Sequence, residues 1–209
     1  MLYKDLEKML GTSLEGLVIV LRGPVGSGKS TFCKTLLKEV LEKGKKCLYF
    51  STSQTEEVIK ERFKTVRNLK NLKIMTLYSS QNFNQVRELN SLNFEINNAI
   101  KAHDPSLFVF DSITSLLLNN DAIEVAKFIQ RLVVKLRQQN IFAVFVVDSE
   151  AVDNRAVELV SYFVDSILET KINERYEKMV RVYFARFAAP VLKWKKLKIN
   201  EKGEVEVKS

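Results

Sequence analysis

Residues Gly23-Pro24-Val25-Gly26-Ser27-Gly28-Lys29-Ser30, followed by Thr31, satisfy the pattern G-x-x-x-x-G-K-[ST] at every required position. Glycines so spaced let successive backbone N–H groups turn inward around phosphate oxygens. A helix that starts where the loop ends adds unpaired donors and a partial positive charge. The segment Gly23, Pro24, Val25, Gly26, Ser27, Gly28, Lys29, Ser30 and Thr31 is therefore the expected phosphate cradle. Within it Lys29 reaches the β- and γ-phosphates and the Ser30 hydroxyl coordinates Mg²⁺. The expected ligand is a nucleoside triphosphate. Two further places offer carboxylates. Asp111 closes the apolar run Leu107-Phe-Val-Phe110, where a carboxylate can hold the water shell of a Mg²⁺ bound to Ser30. Asp148-Ser149-Glu150 follows the run Ile141 to Val147 and can sense the γ-phosphate.

These residues need a scaffold, and the chain supplies its pattern. Leu17-Val-Ile-Val-Leu21 enters the loop as a buried strand, and Phe32, Leu36, Leu37, Val40 and Leu41 leave it at helical spacing until Gly44. Further strands are expected at about 47–51, 73–78, 107–110, 141–147, 163–169, 179–188, 191–199 and 204–208. Helices are expected near the N-terminus and at about 55–67, 83–102, 121–138 and 154–161. Strands alternating with helices, and continuous apolar strands, predict an α/β fold: a mostly parallel sheet covered on both faces. The last strands extend it as an antiparallel hairpin, with Asn200-Glu-Lys-Gly203 as the turn.

With 209 residues, 46% apolar and 28% charged, the chain suits one domain spanning residues 1–209. Its three prolines leave little room for a linker. The charged start Met-Leu-Tyr-Lys-Asp-Leu-Glu-Lys is unlike a signal peptide, and the longest apolar run is far short of a membrane span, so a cytoplasmic location without membrane insertion is expected. Cys33 and Cys47 read as buried reduced thiols, and His103 as a surface residue. Of the net charge of +8, the segment from Lys171 to Ser209 carries +6, from 11 Lys/Arg and 5 Asp/Glu. Lys193-Trp-Lys-Lys-Leu-Lys198 is its densest part. Such a stretch serves either a nucleic-acid strand or a solvated edge guarded against aggregation, and the second reading is preferred.

Residues Gly23–Ser30, Phe108-Val-Phe-Asp-Ser-Ile-Thr-Ser115, the lead-in Leu6-Glu-Lys-Met-Leu-Gly-Thr-Ser-Leu-Glu-Gly16 and the closing hairpin together resemble the RecA-type P-loop NTPases, in particular their KaiC-like branch. The resemblance covers most of the chain. It implies a RecA-like domain that binds ATP and Mg²⁺ between subunits of a homo-oligomeric ring, often a hexamer. Two departures stand out. Active relatives carry a glutamate just past the second strand to activate water, where this chain has Thr52 and Ser53. Glu57 and Glu150 are the remaining candidates for a base, since Ser53-Gln-Thr-Glu56 reads as a helix capping box. The family's Lys-x-Arg pair, which reaches a neighbour's phosphates, is Phe184-Ala-Arg186 here, so Arg186 alone is left to act in trans. A general base contributes roughly 10²–10⁴ in rate, and without it a weak ATPase or an ATP-gated regulatory protein is expected. The alternatives are a DNA-acting RecA paralogue and a small-molecule kinase. Against the first, residues 148–164 leave little room for a long DNA-binding loop. Against the second, residues 111–122 hold no lid arginine.

Overall fold

The computed structural model describes residues 1–64, 66–77, 88–187, 192–201 and 203–208. In chain order the elements are α1 (Leu2–Leu10), β1 (Val18–Gly23), α2 (Lys29–Glu42), β2 (Cys47–Ser51), α3 (Glu56–Phe63), β3 (Leu72–Thr76) and α4 (Leu89–His103). They continue with β4 (Leu107–Asp111), α5 (Thr114–Asn119), α6 (Ala122–Gln138), β5 (Phe142–Asp148), α7 (Asn154–Ser161), β6 (Ser166–Ile172), β7 (Lys178–Ala185), β8 (Lys195–Ile199) and β9 (Val205–Lys208). One sheet runs through the molecule in the order β3-β2-β4-β5-β1-β6-β7-β8-β9. The strands from β3 to β6 in that order are parallel, and β7, β8 and β9 are added antiparallel. The expected parallel sheet with an antiparallel extension is the architecture observed. The expected helices at 55–67 and 83–102 and strands at 73–78, 179–188 and 191–199 overlap α3, α4, β3, β7 and β8, but Thr65, Tyr78, residues 83–87, Ala188 and Val191 lie outside the described residues.

Burial on both sides explains the apolar strands. One face of the sheet packs Ile19, Leu21, Val144 and Val146 against α1, α2 and α3; the other packs Val18, Val20, Phe108, Phe110 and Phe145 against α4 to α7. Helix α6 turns Val125, Phe128, Ile129, Leu132 and Leu136 onto that second face at helical spacing. Its start is fixed by Asp121, which accepts hydrogen bonds from the Ile123 and Glu124 amides at 2.9 and 3.2 Å. Helix α1 is capped from outside itself: the Glu39 carboxylate on α2 accepts from the amides of Leu2 and Tyr3 at 2.7 and 2.9 Å. The closing turn is as expected, with Asn200 N donating to Glu204 O at 2.9 Å.

Three local readings are corrected. No Ser53–Glu56 capping box forms: α3 starts from Thr55, and Ser51 Oγ accepts from the Ser53 and Gln54 amides instead, at 3.3 and 3.1 Å. Glu56 pairs with Lys60 at 2.8 Å, one turn on. Helix α5 forms at Thr114–Asn119, where no helix is expected from the sequence. His103 is half-buried, with Nε2 at 3.1 Å from Cys47 O and 3.0 Å from Asn71 O, so it ties the end of α4 to β2 and to the turn that leads into β3. Both cysteines are free and buried, and burial pushes their thiols up, away from reactive thiolate. Among the described residues no helix is long and apolar enough to cross a membrane.

Candidate functional site

β1 lies between β5 and β6, and its carboxyl end opens directly into the loop Pro24–Gly28. Crowding dictates Gly23. A Cβ there would meet Thr170 Oγ1 of β6 at 2.2 Å and Thr170 O at 2.4 Å. Ser27 fastens the loop to the same strand: its hydroxyl lies 2.7 Å from Thr170 Oγ1 and donates to Pro24 O at 2.7 Å. Gly28, at φ 99°, then turns the chain into α2, so the first turn of that helix faces the concavity.

Lys29 is buried, and its ammonium donates back to the carbonyls of Gly23 and Pro24 at 2.5 and 2.7 Å. Burial holds its pKa below the ordinary lysine value, while Asp148, Asp111 and Glu150 act in the opposite direction. The loop thus keeps a desolvated cation at its centre with carboxylates at the rim. A cavity of about 460 Å³ opens over it, lined by Val25, Gly26, Gly28, Lys29, Ser30 and Thr31 from the loop and α2. Ser53, Asp111, Ser112, Val146, Asp148 and Lys178 complete the wall.

Asp111 is positioned by Tyr49, whose hydroxyl donates to Asp111 Oδ2 at 2.8 Å. Burial, with the carboxylate's charge and that bond behind it, pushes the phenol's pKa far up. One carboxylate oxygen is so occupied, and Ser30 and Asp111 share the cavity wall as a hydroxyl–carboxylate pair suited to a hydrated divalent ion. Thr52 and Ser53 separate sharply. Thr52 is 1% exposed, and its hydroxyl both donates to Ser112 O at 2.6 Å and accepts from Ser112 N at 3.2 Å, locking the ends of β2 and β4 together. Ser53, one residue on, lines the cavity.

The two glutamates proposed as bases fare differently from Asp148. Glu57 is exposed on α3 and away from the cavity wall, and its carboxyl is held below the usual range by its own amide and by Thr55, which weakens it as a base. Glu150 is exposed beyond the cavity wall; its amide donates to Asp148 Oδ1 at 3.2 Å. Arg186 is out of reach of its own loop. Its amide donates to Asp165 O at 2.8 Å and Asp165 N to Val18 O at 2.8 Å, which places it level with Val18 at the foot of β1. Gly23 stands about 17 Å further along that strand. There Arg186 lies 3.8 Å from the buried Asp165 carboxylate, which Arg137 also holds at 2.6 Å.

Two contributors were missed by sequence reasoning. Tyr49 hides in a uniformly apolar strand, where nothing marks it as the partner of a residue 62 positions away. Lys178 starts β7, and only the antiparallel return of that strand brings it over the loop, with its Cδ 3.4 Å from where a Cβ on Gly28 would be. A second cavity of about 430 Å³ shares Ser30 and Thr31 and continues past Lys34, Tyr49, Arg62 and Phe63 to Ile199 and Gly203.

Known proteins resemble the chain over most of its length. The family model described as "ATPase: KaiC" matches residues 4–207. The circadian clock protein KaiC2 of Synechocystis sp. is 29% identical over 167 residues, 74% of this chain but 28% of that protein. Guanylate kinase of Wolinella succinogenes is 49% identical over 47 residues, 22% of this chain and 20% of the enzyme. The chain thus spans less than a third of either relative. Among solved structures, a KaiC-like protein from the archaeon Pyrococcus horikoshii superposes with a TM-score of 0.77 over 97% of this chain and 94% of that one, at 15% identity, a likeness of fold. A family model covering nearly the whole chain, on a RecA-like fold with the phosphate loop in place, shows that the chain belongs to the KaiC family of ATPases.

Proposed function

We propose that this chain binds ATP with Mg²⁺ at the Gly23–Thr31 loop, hydrolyses it slowly, and uses it chiefly as a ligand that favours a homo-oligomer. The observation carrying the reading is the desolvated Lys29 ammonium held inside the loop, beside Ser30 and Asp111 in one cavity. On binding, phosphate oxygens replace the Gly23 and Pro24 carbonyls as acceptors for Lys29, and Lys178 adds a second cation from β7. Ser30 and Asp111 hold the hydrated Mg²⁺, which screens the phosphate charge. The nucleoside extends past Thr31 into the adjoining cavity, between Tyr49, Arg62 and Phe63.

Slow turnover follows from Ser53, the cavity-lining residue after β2, whose hydroxyl is no base at neutral pH. ATP as a regulatory ligand is favoured over a kinase, because the likeness to guanylate kinase is confined to 47 residues and residues 111–122 carry no arginine. Calorimetry with ATP–Mg²⁺ tests the binding reading. A charge-assisted hydrogen bond contributes about 1.5–3 kcal/mol, so Lys29→Ala should weaken affinity by roughly 10- to 150-fold. Equal affinity of Lys29→Ala and wild type would sink the proposal.

A further inference from the structure

One part of the sheet has a face that no helix among the described residues covers. On β6 to β9 the residues Leu168, Val180, Val182, Leu197 and Val205 are buried against the α1 and α2 side. Their neighbours along each strand point the opposite way. Strand register places Glu169 opposite Arg181, Lys171 opposite Met179, Met179 opposite Lys196 and Lys198 opposite Glu206, all on that other side. Beyond Ile167, which belongs to the core on that side, the described residues leave this side open: Tyr183 is 44% exposed and the Lys196 side chain 38%.

Two aromatic rings lie at its centre, held by cations. Arg181 stands 4.5 Å from the Trp194 ring centroid and 5.6 Å from that of Tyr183, so the rings are no more than about 10 Å apart. Lys171 lies 4.3 Å from Trp194, and Arg22 4.0 Å from Tyr183. Glu169 fixes both arginines, at 3.1 Å from Arg22 and 2.5 Å from Arg181. Lysines guarding an edge strand explain Lys208 on β9, but not two rings further into the sheet.

We propose that this face binds single-stranded nucleic acid. Lys196 exchanges its Glu177 carboxylate and Lys171 its place over Trp194 for phosphates, Lys198 adds a third cation, and bases stack on Tyr183 and on the Trp194 face that Lys171 leaves, beside the Arg181 guanidinium. Planar rings beside a planar cation match the two π-faces of a base, whereas an acidic peptide would use the lysines and leave the rings idle. The rings are already fixed by the Glu169–arginine pairs, so little side-chain freedom is lost on binding. The proposal does not call on ATP, because Lys171, Arg181, Tyr183 and Trp194 are not among the residues lining the cavity above Lys29.

Trp194 is the only tryptophan of the chain, so its fluorescence reports directly on stacking. Oligo(dT) and oligo(U) are titrated into the full chain at rising salt, following Trp194 emission and the anisotropy of a labelled oligonucleotide. The expected result is quenching on binding, with either sugar. Three phosphate contacts on a single strand give a slope of log affinity against log salt of about −2. Lys171→Glu with Lys198→Glu should flatten that slope and weaken binding more than tenfold. Tyr183→Leu should weaken it by several-fold to about a hundredfold. Lys29→Ala should bind as wild type does, which keeps this test separate from that of ATP binding. Any of four results overturns the proposal: no binding at low salt, binding without quenching, equal affinity for a duplex of the same length, or indifference to the paired lysine substitution. Trp194 emission that changes with protein concentration alone, with a matching rise in mass by light scattering, would assign the face to a second copy of the chain instead.

Discussion

Replacing Ser53 by glutamate should turn a slow ATPase into a faster one, and replacing Thr52 should not. Ser53 lines the cavity above Lys29, so a carboxylate there faces the place where the γ-phosphate and its attacking water would sit. A positioned general base is worth roughly 10²–10⁴ in rate, or about 3–5 kcal/mol off the barrier. Thr52 is 1% exposed and spends its hydroxyl on both the N–H and the C=O of Ser112. A glutamate at that position loses the bond to Ser112 O and buries a carboxylate, a loss of at least about 1–3 kcal/mol of stability. The assay is single-turnover phosphate release with protein in excess over ATP–Mg²⁺, alongside thermal unfolding of each variant. Ser53→Glu is expected to release phosphate at least tenfold faster at an unchanged Tm, and Thr52→Glu to melt earlier with no gain. The reasoning fails if Ser53→Glu folds, binds ATP normally and releases phosphate no faster. It fails equally if the wild type already turns over at a typical enzyme rate of about 1–10 s⁻¹.

Two more expectations concern charge. Burial lowers the Lys29 pKa from its ordinary 10.5, so the free protein loses that proton at a lower pH than an exposed lysine would. ATP affinity should therefore begin to fall below pH 10.5 as pH rises. Fold stability shifts the other way in the same window, because there the unfolded chain binds the extra proton. Calorimetry from about pH 7.5 to about pH 10 should show a decline in wild type that Lys29→Ala lacks, and parallel curves would refute the assignment. Arg186 lies far from its own loop and, by the reading proposed here, serves the loop of a neighbouring copy. Arg186→Ala should lower Tm only slightly, since Arg186 is itself exposed, at 3.8 Å from Asp165, and the buried Asp165 carboxylate keeps Arg137 at 2.6 Å, yet reduce the ATP-dependent rise in mass seen by light scattering. A wild type that stays monomeric at high concentration with ATP–Mg²⁺ would dismiss assembly altogether.

The phosphate loop was legible in the chain because its requirements are local. Three glycines, a lysine and a hydroxyl at fixed spacing, between an apolar strand and an amphipathic helix, leave few other structures for residues 17–41. The alternation of strands and helices carried the sheet's class for the same reason, since periodicity is a property of neighbours along the chain. What could not be read were relations between distant residues. That Thr52 is a structural tie and Ser53 a wall of the cavity depends on where β4 lies beside β2, and the sequence shows two adjacent small hydroxyl residues. Lys178 and Tyr49 join the site only because strand order brings β6 beside β1 with β7 next to it, and β2 beside β4. Arg186 looked close to Lys178 along the chain, but the antiparallel run of β7 carries it to the other end of the sheet. The C-terminal charge was visible as composition. Its division into a buried apolar face and an open face of rings and cations was decided by strand register, where a shift of one residue would exchange the two.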